Sequence, residues 1–152
     1  MSVYDQLSAL NITLPPVSVP AAAYVPYVHT GNLVFLSGHI ARKDGKPWAA
    51  QFGRDISTEE GKLAARSVAI DLMGTLQAAI GDLNKVTRIV KLLGMVNCPS
   101  DFGEHPKVIN GCSELFAKVW GTDNGVGVRS AVGMGSLPDN IPVEIEVMFE
   151  LA

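Results

Sequence analysis

The C-terminal stretch has the strictest periodicity in the chain. Four apolar residues alternate with three glutamates and a methionine: Val143, Ile145, Val147 and Phe149 against Glu144, Glu146, Met148 and Glu150. A period of two is typical of a strand with one face on a hydrophobic core and the other toward water. The pattern therefore predicts a sheet that is covered by other elements on one face.

Two helical segments can supply that cover. Ser57 and Glu60 fit a capping box, and the apolar residues that follow recur at helical spacing as far as Gly81. A second helix is predicted to begin near Pro106, because proline favours the first turn, and to end at Trp120 before Gly121.

The remaining segments predict further strands and turns. Residues 33–38 form a short apolar strand stopped by Ser37-Gly38, residues 86–96 a central strand, and Asp44-Gly45 a hairpin turn. We expect an α/β fold, with one mixed sheet and two helices on one face, in a single domain spanning 1–152. The proline-rich residues 12–28 predict an extended arm that ends in an edge strand, and residues 1–23 are assigned to this N-terminal arm.

Composition excludes several classes of protein. The formal net charge is −3 and the basic residues are scattered, which disfavours a nucleic-acid partner. The two cysteines and three histidines show no metal-ligand spacing, so we expect no metal and two reduced thiols. The first ten residues lack a signal-peptide pattern, and no apolar run approaches the ~20 residues that span a membrane, so we expect a cytoplasmic protein.

Arg129 is the residue that most suggests chemistry. It stands in "GVGVRSAVGMG", where every neighbour is small or apolar. A guanidinium in such a setting is suited to holding a carboxylate through two parallel hydrogen bonds. Glu144 follows on the next predicted strand and could orient or deprotonate a water at the same cleft, within one subunit or across an interface. The alternative is that Arg129 and Glu144 form a structural ion pair or point separately to solvent.

The ordered set of segments resembles the Rid/YjgF family of reactive-intermediate imine deaminases. The resemblance runs from about residue 24 to the C-terminus and is carried by "GNLVFLSGHIA", "VINGCSELFAKVWG", "VRSAV" and "LPDNIPVEIEV". It implies a chorismate-mutase-like fold assembled as a homotrimer, with a ligand cleft between adjacent subunits. Apolar positions on the open side of the predicted sheet also favour self-association.

The resemblance also implies roles for individual residues. Arg129 falls on the arginine that clamps the substrate carboxylate, and Glu144 on the glutamate associated with the attacking water. The predicted substrate-binding positions are Tyr27 in a Pro-Tyr pair, the backbone of Gly38, Asn110 in the second helix, and Ala131. Ala131 stands where the family often has a cysteine, so its contribution would come from the backbone. The loop of residues 98–108 looks longer than usual.

Two functions from different classes remain open at this point. The first is a deaminase, without cofactor or metal, that hydrolyses 2-imino or enamine acids to 2-keto acids and ammonia. The second is a trimer that binds small carboxylates without catalysis, as a sensor or scavenger. A ribonuclease activity, attached to some family members, is disfavoured by the acidic charge balance.

Overall fold

The computed structural model describes residues 1–17, 19–20 and 22–152. Three helices form, α1 (Val3–Ala9), α2 (Thr58–Ile80) and α3 (His105–Gly125). The strands are β1 (Tyr27–Thr30), β2 (Leu33–Ile40), β3 (Arg42–Lys43), β4 (Lys46–Pro47), β5 (Val86–Asn97), β6 (Val128–Met134) and β7 (Val143–Leu151). These elements confirm the mixed α/β class that the sequence predicts.

Five strands make one mixed sheet in the order β1-β2-β7-β5-β6. Strand β6 pairs parallel to β5, while the other neighbours are antiparallel. A parallel pair needs a crossover connection, and α3 provides it. Strand β5 is internal, as predicted, and it separates β6 from β7. The hairpin predicted at Asp44-Gly45 joins β3 to β4 in a separate two-stranded ribbon.

The predicted helix caps are present. The Ser57 hydroxyl accepts a hydrogen bond from the Glu60 amide at 3.2 Å, and the Glu60 carboxylate accepts one from the Ser57 amide at 3.3 Å. Helix α2 ends at Gly81, whose φ of 79° is in the left-handed region that glycine adopts without strain. Helix α3 runs past the predicted end, because one more turn follows a break at Gly121, where φ is 82°.

Helices α2 and α3 pack on one face of the sheet and form the core with it. The side chains buried between these layers include Val68, Leu72, Leu76, Ile109, Phe116, Ile145 and Phe149. Phe116, Trp120 and Phe149 join α3 to β7 through ring contacts of 5.6–5.9 Å. Helix α2 is long and apolar enough to cross a membrane, but most of it is buried in this core. Both cysteines are free and buried.

The N-terminal segment differs from the extended arm expected over residues 1–23. Residues 3–9 form α1, which Ser2 caps by accepting from the Asp5 amide while the Asp5 carboxylate accepts from the Ser2 amide. Val3 and Leu7 are buried in the common core. Residues 12–17 have no regular structure, and positions 18 and 21 lie outside the described residues.

Strand β2 is longer than predicted. It does not stop at Ser37-Gly38 but continues to Ile40 through an irregularity in its pairing with β7 between Leu36 and His39. The His39 ring is buried just after this bulge and contacts Ser37 and Thr75.

Candidate functional site

Arg129 extends from β6 toward α3. Its Nη1 donates to the Ser113 hydroxyl at 3.0 Å, and its Nη2 donates to the Pro106 carbonyl at 3.3 Å. The side chain therefore lies on the helix-covered face of the sheet. Both partners are neutral, so the charge of the guanidinium is held in position without being neutralised.

A cavity of about 380 Å³ opens beside this guanidinium. Asn110, Ser113 and Glu114 of α3 supply polar groups to its wall, together with Arg129. The rest of the lining includes Ile89, Leu92, Phe116, Ala117 and Val126. Two of the predicted site residues, Arg129 and Asn110, are thus brought to one concavity that combines a cation with an apolar wall.

Arg129 makes no ion pair among the described residues. Its cross-strand neighbour on β5 is Leu92, which pairs in turn with Val147 of β7. Glu144 aligns instead with Met95 and, through it, with Val132. The structural ion pair between Arg129 and Glu144 is therefore wrong for a single chain.

Glu144 occupies the open face of the sheet, opposite to the core-facing Val143 and Ile145. Its carboxylate lies over Gly38, so close that a Cβ on that glycine would overlap Glu144 Oε2. Partial burial raises the pKa of the Glu144 carboxyl, and the nearby charge of Glu146 raises it further. A carboxyl with a raised pKa is a stronger base when ionised, which suits a group that takes a proton from water.

The backbone at Gly38 is held by its neighbours. The Ser37 amide donates to the Pro26 carbonyl at 2.9 Å, and the Ser37 hydroxyl donates to the Val25 carbonyl at 2.5 Å. His39 Nδ1 lies 2.7 Å from the Ser37 carbonyl, which can only accept, so Nδ1 carries the proton.

The other nitrogen of His39 is also satisfied. In the neutral ring Nε2 accepts, and the Thr75 hydroxyl of α2 lies 2.7 Å away as its donor. Burial lowers the pKa of His39, although the Ser37 carbonyl and the charge of Asp71 oppose this effect. His39 is thus a buried, satisfied histidine that ties the bulge of β2 to α2.

Tyr27 and Ala131 lie apart from Glu144. Tyr27 pairs with the buried Leu36 and packs against the core from β1, at the opposite edge of the sheet from β6. Ala131 is two residues after Arg129, so its side chain is on the same helix-covered face. One chain therefore presents two separate groups: Arg129, Asn110 and Ala131 at one edge, and Glu144 with Gly38 on the open face.

Sequence reasoning missed one contact between a thiol and an imidazole. Cys98 Sγ and His105 Nε2 lie 3.4 Å apart, at the two ends of the loop that precedes α3. The spacing of six residues between them matches no known signal, although the loop itself looks unusually long. Among the described residues, no group of three or more His, Cys, Asp or Glu side chains could hold a metal ion.

Comparison with known proteins gives consistent matches along the chain. The family model described as "YjgF/chorismate mutase-like, putative endoribonuclease" matches residues 4–142. The Trypanosoma cruzi protein TCP17 is 39% identical over 150 residues, which cover 98% of this chain and 94% of that protein.

Solved structures are similar over the same extent. Protein Atu1372 from Agrobacterium tumefaciens has a TM-score of 0.90 at 38% identity, covering 99% of this chain and 92% of that one. RidA from an Antarctic Psychrobacter has a TM-score of 0.61 at 26% identity, covering 92% and 98%.

Proposed function

The chain belongs to the YjgF/chorismate mutase-like family, and we propose that it is a hydrolytic deaminase of 2-imino acids that works as a homotrimer. The observation that carries the proposal is the guanidinium of Arg129, which has only neutral partners and faces a cavity. Such a group is preorganised to receive a carboxylate through two hydrogen bonds.

The trimer is proposed because one chain holds the two halves of the site apart. Arg129 is at the β6 edge on the covered face, and Glu144 is on the open face. That open face carries exposed apolar side chains, Val28, Phe35 and Val132 among them. If the β6 edge of a neighbouring subunit packs against this face, the contact would bury these side chains and would bring the neighbour's Arg129 cavity toward Glu144.

The reaction needs little activation, because a protonated imine is already electrophilic. Arg129 holds the carboxylate and Asn110 offers an amide beside it, which fixes the imine carbon in place. Glu144 orients a water and accepts its proton as the oxygen attacks this carbon. Glu144 then gives its proton to the nitrogen of the resulting carbinolamine and takes the hydroxyl proton as the C–N bond breaks, so that the products are a 2-keto acid and ammonia.

The experiment follows imine consumption in competition with a trap. Freshly generated 2-iminobutyrate is incubated with the protein and semicarbazide, and formation of the semicarbazone is recorded. Active protein lowers the amount that is trapped. Arg129→Gln should lower kcat/KM by about 100-fold or more, because a charged bidentate contact is lost.

Arg54→Gln is the matched control. Arg54 is an exposed residue in the turn before α2 and does not line the cavity, so activity should be unchanged. Full activity in Arg129→Gln would remove the proposal.

A second function is favoured by one observation. The carboxylate-binding half of the site is complete within one chain, without Glu144. A protein that only binds small carboxylates would give calorimetric heat with 2-keto acids that depends on Arg129, and would leave trapping by semicarbazide unchanged.

A further inference from the structure

Cys98 and His105 form a contact that the proposed deaminase does not use. Cys98 follows the end of β5, His105 is the first residue of α3, and the thiol sulphur is 3.4 Å from Nε2. Both side chains lie against Gly133 of the edge strand β6. A Cβ on that glycine would be 2.7 Å from His105 Nε2 and 2.9 Å from Cys98 Sγ, which is closer than real contacts allow.

The surroundings fix the pair in this geometry. The Cys98 amide donates to the Met134 carbonyl at 3.2 Å, which holds the cysteine backbone on β6. The His105 ring meets the edge of Phe102 at a centroid distance of 5.1 Å, and Phe102 contacts Phe52 in turn. Packing of the Phe102 ring against the imidazole thereby holds His105 next to the Cys98 sulphur.

The Cys98 thiol is protonated in the resting state. Burial raises the pKa of the Cys98 thiol above its ordinary value, although the Met134 contact opposes this. The thiol therefore keeps its proton and can donate it to His105 Nε2. A weak nucleophile with a base already within hydrogen-bonding distance is the arrangement that activates hydroxyl and thiol groups in covalent catalysis.

We propose that Cys98 is a reactive thiol, with His105 as its general base, that is modified by small α,β-unsaturated carbonyl compounds. The sulphur attacks the β-carbon and forms a C–S bond as the C=C π pair moves onto the α-carbon. His105 takes the thiol proton and delivers it to that α-carbon, so no further reactant is needed. The ligand is small and uncharged because Cys98 is only 6% exposed, against Gly133 and next to the His105 ring.

The second cysteine provides an internal comparison. Cys112 is on α3, fully buried in the core, and burial raises the pKa of its thiol far above the ordinary value. Gly133, in contrast, is exposed at the outer edge of β6. Because Cys98 keeps some exposure whereas Cys112 has none, a small electrophile in solvent reaches Cys98 first.

The test is a time course of acrylamide labelling of the folded protein, read by mass spectrometry of the peptides that contain Cys98 and Cys112. Cys98 should be labelled while Cys112 is not. His105→Phe keeps an aromatic ring against Phe102 and removes the base, so the rate at Cys98 should fall about tenfold or more.

A second variant tests the geometry without touching either group. Gly133→Ala inserts a methyl group between the sulphur and the imidazole and should slow labelling in the same direction. Gly135→Ala is its matched control, because a Cβ there meets nothing within 4 Å. Circular dichroism of each variant confirms that it is folded.

Two results would overturn the proposal: equal labelling of both cysteines in the folded protein, or an unchanged rate at Cys98 in both His105→Phe and Gly133→Ala. Neither result depends on Arg129. Cys98→Ser, assayed for imine hydrolysis, should keep full activity, so failure here is distinct from failure of the proposed deaminase.

Discussion

Arg129 and Glu144 lie on opposite faces of one sheet, with β5 between their two strands. Arg129 reaches Ser113 on the helix-covered side, while Glu144 lies over Gly38 on the open side. The alternation of side chains along each strand fixes these two faces, because a side chain changes face only if its strand shifts register by one residue. In the proposed deaminase, a cleft that uses both groups would therefore take them from two different chains.

Mixing two inactive variants should restore activity. Arg129→Ala and Glu144→Gln each remove one half of every site. When the two chains are unfolded together in equal amounts and refolded, about one quarter of the interfaces combine an intact arginine with an intact glutamate. We expect about a quarter of the wild-type rate in the semicarbazide competition.

The control for this mixture is the same pair of proteins combined without unfolding, where subunits stay in their own assemblies and activity stays low. No recovery after refolding, with oligomers of the wild-type size, would contradict a site shared between chains.

Replacing Glu146 should move the acidic limb of the pH profile. Glu144 must be ionised to accept a proton, so activity falls as the pH drops through its pKa, which lies above the ordinary value of 4.5. Glu146→Gln removes a negative charge that raises this pKa, so the limb of kcat/KM should shift to lower pH. Glu59→Gln, on the first turn of α2, should leave the profile unchanged.

Gly38→Ala should reduce kcat while the protein stays folded. The new methyl group would overlap the carboxylate of Glu144, and this side chain, on the open face, can move away. The displaced carboxylate no longer orients water, so we expect a loss of about tenfold or more in kcat. Gly103→Ala, where a Cβ meets nothing within 4 Å, should behave as wild type.

Thr75→Val should destabilise the protein by about 1–3 kcal/mol, because it leaves Nε2 of the buried His39 without a donor. Urea unfolding measures the change. Thr87→Val is the matched control, since that hydroxyl is exposed. An equal effect of the two substitutions would argue against a special role for the His39 contact.

His39 also predicts a pH dependence of stability. Its pKa in the folded chain is below the ordinary 6.5, because burial disfavours the charged ring. As the pH falls, the unfolded chain therefore takes up this proton before the folded chain does. The free energy of unfolding decreases as the pH falls below the ordinary pKa of 6.5. His39→Gln should flatten the dependence, which urea unfolding at about pH 7.5 and 5.5 would show. An unchanged slope would assign the effect to other groups.

Local signals in the sequence predicted most of the elements. The capping box at Ser57, the hairpin at Asp44-Gly45 and the alternation after Val143 each depend on neighbours within a few residues, and each is confirmed. The helix at residues 3–9 had a signal of the same kind, since Ser2 and Asp5 have capping-box spacing.

Long-range relationships were not predictable in the same way. The faces of Arg129 and Glu144 depend on β6 pairing with β5 rather than with β7, which the crossover through α3 decides. The contact between Cys98 and His105 depends on how the loop between them packs against Gly133 of β6. Neither follows from periodicity, because both are set by strand order and packing.

The first helix has a practical consequence for anyone who shortens the chain. The Tyr4 hydroxyl accepts from the Leu83 amide at 2.9 Å and donates to Gln77 at 2.5 Å, and the Val3 amide donates to Asn84 at 2.9 Å. Removing α1 would break two hydrogen bonds to the turn that leads into β5 and one to α2, and would expose the core side chains against which Val3 and Leu7 pack. We therefore expect a truncated protein that begins near residue 12 to be less soluble and to aggregate more readily than one that keeps the first ten amino acids.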